Sequence, residues 1–374
     1  MRRASVLLAF VATVALAAPV AFAKRETAKP DVKLESIRVS NGRARAERTD
    51  STEIGVTVDP AFQRTVDQIL DSSKTPSGAI VVSDVKTGRI LAWASRGNEG
   101  DLVRKAKYPG ASLFKVVTAA ALLESEKVHL GDTVCFHGGE SKLLEEDIKP
   151  GCRSQDARVK FELALGKSLN VVFGRLAVQH LDDDTLSKMA SSFGIGAPPP
   201  LDLPADKTSI RIPEEGLGLA RAAAGFGDAK MSPLAALDMM TTIANGGERI
   251  RLHVTGRPDG VPRVSLGRVL EKETARDLVR MLEATTRSGT SAKAFAAKED
   301  RPHISVAGKT GTLLYQNPKR LVSWFAGFAP SRDPEIAVAV LLANDEKWWR
   351  KGNEVARDVI DAWVRHKSKA ASKP

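Results

Sequence analysis

The sequence predicts one large α/β domain in which a mixed sheet takes strands from both ends of a helical block. Two strand-like apolar runs, residues 78–85 and 89–94, precede that block. Three more, residues 303–308, 321–329 and 336–343, follow it. Strands divided in this way suggest pairing across the chain, with the helical block as an insertion.

In chain order, residues 1–23 begin with Arg2 and Arg3, continue as an apolar run, and end at Pro19 and Ala21-Phe22-Ala23. A positive start, an apolar centre and a small-x-small end read as a signal peptide. An uncleaved anchor is the other reading, because about 20 residues can just cross a bilayer. Both readings imply export, to the periplasm or cell envelope. Residues 24–54 are rich in charges of both signs and poor in large apolar residues, and read as a solvated linker. The domain is expected over residues 55–364, and residues 365–374 read as a basic tail.

Within the domain, residues 61–70 carry helical spacing through Phe62, Val66, Ile69 and Leu70. Lys86-Thr87-Gly88 separates the first two strands as a hairpin turn. Residues 112–125 and 159–180 read as apolar helices. Pro233 opens a further helix closed by Asn245-Gly246-Gly247. Residues 271–286 are amphipathic, and residues 354–364 form a last helix. In an oxidising compartment Cys135 and Cys152, the only cysteines, read as a disulfide across a short loop, with two buried thiols as the alternative.

The chain has 374 residues, 56 Lys+Arg against 45 Asp+Glu and 43% apolar residues, which excludes a disordered or collagen-like polymer. Its net charge of +11 is compatible with nucleic acid, anionic polymer or lipid. Export removes the first of these. His129, His137, His180, His253, His303 and His366 are scattered without an HExxH pattern, and there is no Walker loop or dinucleotide fingerprint. No metal or cofactor is expected. Trp348 and Trp349, beside Lys347 and Arg350, are expected to pack under the last helix; stacking on a ligand is the other reading.

Three short patterns carry chemistry. Ser112-Leu113-Phe114-Lys115 opens a helix, where positions i and i+3 share a face and the hydroxyl and amine can meet. Lysine acts there as a base only if burial or a second cation lowers its pKa. Ser168-Leu169-Asn170 interrupts an apolar helical run, either as a helix boundary with ordinary capping or as a functional pair. In Lys309-Thr310-Gly311-Thr312, glycines flanking the Lys-Thr pair would let a ligand lie against strand backbone, with the lysine and hydroxyls binding a carboxylate. Each pattern alone is weak. Ser83-Asp84-Val85-Lys86 and Lys86-Thr87-Gly88 repeat two of them elsewhere.

Taken together in this order, the three patterns resemble the penicillin-binding protein transpeptidase and serine β-lactamase superfamily. Thr87-Gly88-Arg89-Ile90-Leu91-Ala92, Gly225-Phe226-Gly227, Ile243-Ala244-Asn245-Gly246-Gly247 and Ser323-Trp324-Phe325-Ala326-Gly327-Phe328-Ala329-Pro330 add to the likeness. The resemblance implies a central antiparallel sheet packed between helices, with a helical subdomain. It implies Ser112 as nucleophile, Lys115 as its base, Ser168 as proton relay, and Asn170 as a ligand of the substrate amide that also orients Lys115. Lys309, Thr310 and Thr312, with Gly311 between them, would hold the substrate carboxylate. The backbone N–H groups of Ser112 and Thr312 would form the oxyanion hole.

Within the superfamily the chain is most similar to D,D-transpeptidases, which act on the D-Ala-D-Ala ends of peptidoglycan stem peptides and are acylated by β-lactams. The Glu-x-x-Leu-Asn loop of one lactamase group is missing, since Gly166 stands where its Glu would be. Asn170 departs from the Ser-x-Val of the oxacillinase-like group. A D,D-carboxypeptidase, a β-lactamase and a non-catalytic penicillin-binding envelope protein are the alternatives. Partners implied are the stem peptide and cell-wall synthesis proteins.

Overall fold

The computed structural model describes residues 31–138, 142–227, 229–345 and 347–372. The segment read as a signal peptide, residues 1–23, lies outside them. The linker expectation fails for residues 31–54. There β1 (Val32–Ser40), β2 (Arg43–Arg48) and β3 (Glu53–Gly55) form an antiparallel meander. Along Arg43-Ala44-Arg45-Ala46 the alanines are buried and the arginines face water; Val32 and Leu34 are buried in the same alternation. Alanine contributes so little apolar signal that composition alone reads the segment as charged.

Asp59 then caps α1 (Pro60–Ser72), its carboxylate accepting the Ala61 and Phe62 N–H groups at 3.0 and 2.8 Å. β4 (Ser77–Asp84) and β5 (Ile90–Arg96) pair as a hairpin. Its turn is held by the Asp84 carboxylate, which accepts from the backbone and hydroxyl of Thr87 at 2.7 Å. Short β6 (Tyr108–Pro109) leads through a tight turn, Ala111–Phe114, into α2 (Lys115–Glu124).

The helical insertion follows. β7 (Thr133–Phe136), α3 (Glu145–Ile148) and β8 (Ala157–Lys160) are stapled by the Cys135–Cys152 disulfide, with Cα atoms 5.8 Å apart. The helix expected over residues 159–180 is two helices, α4 (Phe161–Lys167) and α5 (Asn170–His180), broken at Ser168. α6 (Asp183–Ser192), α7 (Gly216–Ala223), β9 (Lys230–Met231) and α8 (Pro233–Ala244) complete its core; β9 pairs with β6. Ser232 caps α8, its hydroxyl accepting the Ala235 N–H at 3.1 Å. β10 (Glu248–Ile250), β11 (Ser265–Arg268), α9 (Lys272–Arg287) and α10 (Ala292–Phe295) lead back to the sheet.

That sheet is β12 (Ala307–Gln316), β13 (Lys319–Ala329) and β14 (Ile336–Asn344) followed by β4 and β5. Every neighbouring pair is antiparallel, so the sheet is not mixed in direction. The strand expected at residues 303–308 begins only at Ala307, which places the Lys309 pattern on the strand itself. The β4–β14 pairing joins the two ends of the domain, as the split pattern suggests.

Alternate residues of the sheet bury two different cores. Val81, Trp93, Trp324, Ala339 and Leu341 pack into the helical insertion. Ile80, Val82, Phe325, Val338 and Val340 pack under Phe62, Val66 and Leu70 of α1 and Val355, Val359 and Ile360 of α11 (Gly352–Ala371). Strands covered on both faces explain the unbroken apolar runs of β4 and β14. Residues 365–371 continue α11, correcting the reading of a separate tail; the His366 ring nitrogen stands 3.1 Å from the Asp59 carboxylate. Trp349 does not pack under α11: it is 51% exposed.

Candidate active site

The site is built where the insertion meets the edge strand β12. Ala111, just before Ser112, has φ +47°, a left-handed conformation costly for a residue with a Cβ. Gly225 makes that turn feasible: a Cβ on it would stand 2.2 Å from the Ala111 carbonyl oxygen, and its own φ is +83°. The turn presents the partly exposed Ser112 at the entrance to α2. Lys115, one helical turn on, is wholly buried, with Nζ 2.8 Å from Ser112 Oγ and donating to the Ala224 carbonyl at 2.6 Å.

Ser168 closes α4 in the left-handed region at φ +58°. The boundary exists, yet ordinary capping does not account for the serine. Its hydroxyl accepts from Lys309 Nζ at 2.9 Å. Asn170 begins α5 and lines a cleft of about 620 Å³ with Ser112, Gly225, Phe226, Thr312 and Tyr315. Lys309 is buried on β12, donating also to the Thr310 carbonyl at 2.9 Å. Thr310 and Thr312 alternate to the more exposed side of the strand.

The glycines of this strand have a packing cause that the sequence does not reveal. A Cβ on Gly308 would meet the Phe325 ring at 2.4 Å. One on Gly311 would meet the Gly110 carbonyl at 2.9 Å and Trp324 at 3.2 Å. Protein packing by itself is enough to demand them. Gly311 lets β12 lie against the turn that carries Ser112, and Trp324 ties the same turn by donating its indole N–H to the Pro109 carbonyl at 3.0 Å.

Burial lowers the pKa of Lys115 well below the ordinary lysine value, and the nearby Lys309 cation lowers it further. Burial alone brings Lys309 down to about 7. Neutral Lys115 can accept the Ser112 proton, so the pair can generate a serine nucleophile near neutral pH.

A sequence profile of the penicillin-binding protein transpeptidase domain matches residues 78–361. The chain belongs to that family. It is 28% identical over 306 residues to the peptidoglycan D,D-transpeptidase PbpA of Mycobacterium tuberculosis, covering 71% of this chain and 62% of that one. It is 26% identical over 351 residues to stage V sporulation protein D of Bacillus subtilis, covering 84% and 53%. The chain thus spans about three fifths or less of these relatives. The transpeptidase domain of Burkholderia pseudomallei penicillin-binding protein 3 shares the fold, with TM-score 0.71 at 23% identity over 85% of this chain and 97% of that one. So does penicillin-binding protein A from M. tuberculosis in its imipenem acyl-enzyme complex, at 0.68 and 24% over 83% and 79%.

Two contributors escape the sequence reading. The Ala224 carbonyl that receives the Lys115 N–H is backbone and carries no sequence signal. Thr290 Oγ1 lies 2.7 Å from Thr310 Oγ1, and its N–H donates to the Gly166 carbonyl at 3.0 Å. The Ser288-Gly289-Thr290-Ser291 turn after an amphipathic helix was the available clue.

Proposed function

We propose that the chain is a serine D,D-transpeptidase acting on the D-Ala-D-Ala end of peptidoglycan stem peptides. The observation that carries this reading is the buried Lys115 Nζ set 2.8 Å from Ser112 Oγ, with a second buried lysine, Lys309, whose Nζ lies 2.9 Å from Ser168 Oγ. In the first half-reaction the Ser112 proton passes to neutral Lys115 as Oγ attacks the carbonyl carbon of the penultimate D-Ala. The N–H groups of Ser112 and Thr312 receive the oxyanion. Collapse breaks the peptide bond, and the proton returns through Ser168 to the departing D-Ala amine, leaving an ester on Ser112. An amine of a second strand then reverses these steps, losing its proton along the same path. Asn170 would hold the substrate amide and Lys309, Thr310 and Thr312 its terminal carboxylate.

Membership of the family and relatives named as D,D-transpeptidases support this reading. β-Lactams are the covalent inhibitors it implies, and cell-wall synthesis proteins its partners. The Cys135–Cys152 bond supports an exported protein working in the periplasm or envelope, with residues 1–23 as its signal.

Labelling with a fluorescent penicillin tests the assignment. Wild type is expected to carry a long-lived label and Ser112→Ala none. An unlabelled wild type or a labelled mutant sinks it. Rapid turnover of the label would indicate a β-lactamase, and hydrolysis of a donor peptide despite abundant amine would indicate a carboxypeptidase.

A further inference from the structure

Thr290, hydrogen-bonded to Thr310, also lines a second cleft of about 560 Å³, walled by α10, the start of α11 and the turn between β14 and α11. The cleft therefore abuts the carboxylate-binding end of the active site. Its walls are basic. Arg301 and Arg350 are tied to Asp358 at 3.3 and 2.7 Å, and Glu354 is turned to the Lys351 backbone N–H at 2.8 Å. Lys293, Lys298 and Lys351 line the cleft, with Lys347 beside it. Among the described residues none of these four has a carboxylate partner.

The tryptophan pair explains how two of these charges are kept in place. Lys347 Nζ lies 3.8 Å from the centre of the half-exposed Trp349 ring, and Lys351 Nζ lies 5.9 Å from that of Trp348. An aromatic face attracts an ammonium through its quadrupole and leaves the net charge uncancelled. A carboxylate partner would fix the lysine equally well but neutralise it. The arrangement thus suits an anionic ligand that carries its own carboxylates.

Reaction chemistry says which ligand. The acceptor amine reverses the step in which D-Ala leaves, so it must approach from the side that D-Ala vacated. The carboxylate of that D-Ala is assigned to Thr310 and Thr312, and the basic cleft lies on that side. We propose that this cleft docks the acidic stem peptide of the acceptor strand, with Lys293, Lys298, Lys347 and Lys351 holding its carboxylates. The inference rests on the transpeptidase reading.

The test pairs Lys298→Glu/Lys347→Glu with wild type, using a small D-Ala-D-Ala donor and two acceptors, a stem peptide with free carboxylates and the same peptide amidated. Wild type is expected to favour the acidic acceptor, and the variant to lose transfer to it by about tenfold while transfer to the amidated one holds. Acylation by fluorescent penicillin should stay within about twofold, since that half-reaction needs no acceptor. Equal use of both acceptors by wild type, or an equal loss of both in the variant, overturns the proposal. If wild type performs no transfer at all, the enzymatic reading fails separately. The cleft is then decided by calorimetry of the acidic peptide with Ser112→Ala protein, where binding must occur and must weaken about tenfold on charge reversal. Absence of binding, or binding indifferent to the reversal, overturns it.

Discussion

Gly225 runs so close beneath Ala111 that a Cβ there would sit 2.2 Å from the Ala111 carbonyl oxygen. The two residues belong to separate parts of the sequence, yet together they set the height of Ser112 above Lys115. The contact gives Gly225 a purpose that its place in the Gly225-Phe226-Gly227 pattern does not reveal.

Gly225→Ala should therefore act on the nucleophile at a distance. Strain at a positive φ and the clash with Ala111 are expected to cost about 1–3 kcal/mol of stability. Displacing Ser112 from Lys115 should slow penicillin acylation by about 100-fold, because small misplacements of reacting atoms carry large rate penalties. Stopped-flow acylation and denaturant melts check the two effects separately. Folding loss with an unchanged acylation rate would show that the turn tolerates the shift.

The pH profile should report the lysine pair. Acylation needs neutral Lys115, so its rate must rise with pH through the lowered Lys115 pKa and then level off. The Lys309 cation is one of the two causes of that lowering. In Lys309→Met the repulsion is gone, the Lys115 pKa rises, and the acid limb of the residual rate should move to higher pH. A limb that stays put would remove Lys115 as the titrating base.

Lys309→Met should move stability in the opposite sense to activity. Lys309 has a folded pKa of about 7 against an ordinary 10.5. Between those values the unfolded chain holds a proton that the folded one has lost, so this group makes stability rise with pH over that window. Below about 7 the charge stays buried at full cost. Lys309→Met should thus stabilise the protein by about 1–3 kcal/mol at pH 6–7, with a smaller gain toward pH 10. Thermal melts across this range check it, and a destabilised variant at pH 6 contradicts it.

Removing the staple is expected to weaken the fold and spare the chemistry. Cys135→Ser/Cys152→Ser opens a 17-residue loop, which should cost about 3 kcal/mol. Penicillin acylation at 25 °C should be unchanged, because neither cysteine lines the cleft that holds Ser112. Urea titrations and labelling rates measured on the same sample separate the two.

The site was legible in the sequence where its chemistry is local. Ser112 and Lys115 meet because they are one helical turn apart, and the decoy fails for an equally local reason. Ser83 faces the interior, 3.4 Å from Thr241, while Lys86 lies in the hairpin turn near Asp333. What was hidden depends on distant segments coming together: the Ala224 carbonyl, Thr290 against Thr310, and the packing that demands Gly308 and Gly311. At Ser168 the polar pair marked a helix boundary, but its left-handed conformation left no signal, since the apolar neighbours continue the helical rhythm on both sides. The first sheet was missed because the inward residues of its middle strand are alanines set among arginines, and Trp349 was misplaced because aromatic residues are buried more often than they hold ammonium groups at a surface.

The pairing of β4 with β14 sets an order of events in the life of the chain. The third strand of the sheet from either edge is the last to be synthesised, and it alone joins the edge that carries Lys309 to the hairpin made near the start. A growing chain that has passed Ser112 and even Lys309 still holds two unjoined half-sheets. Long-range closure of this kind comes late in folding. The candidate nucleophile is therefore not armed while the first two thirds of the chain are being made: β14 must join the two halves, and α11 must follow to cover the completed sheet.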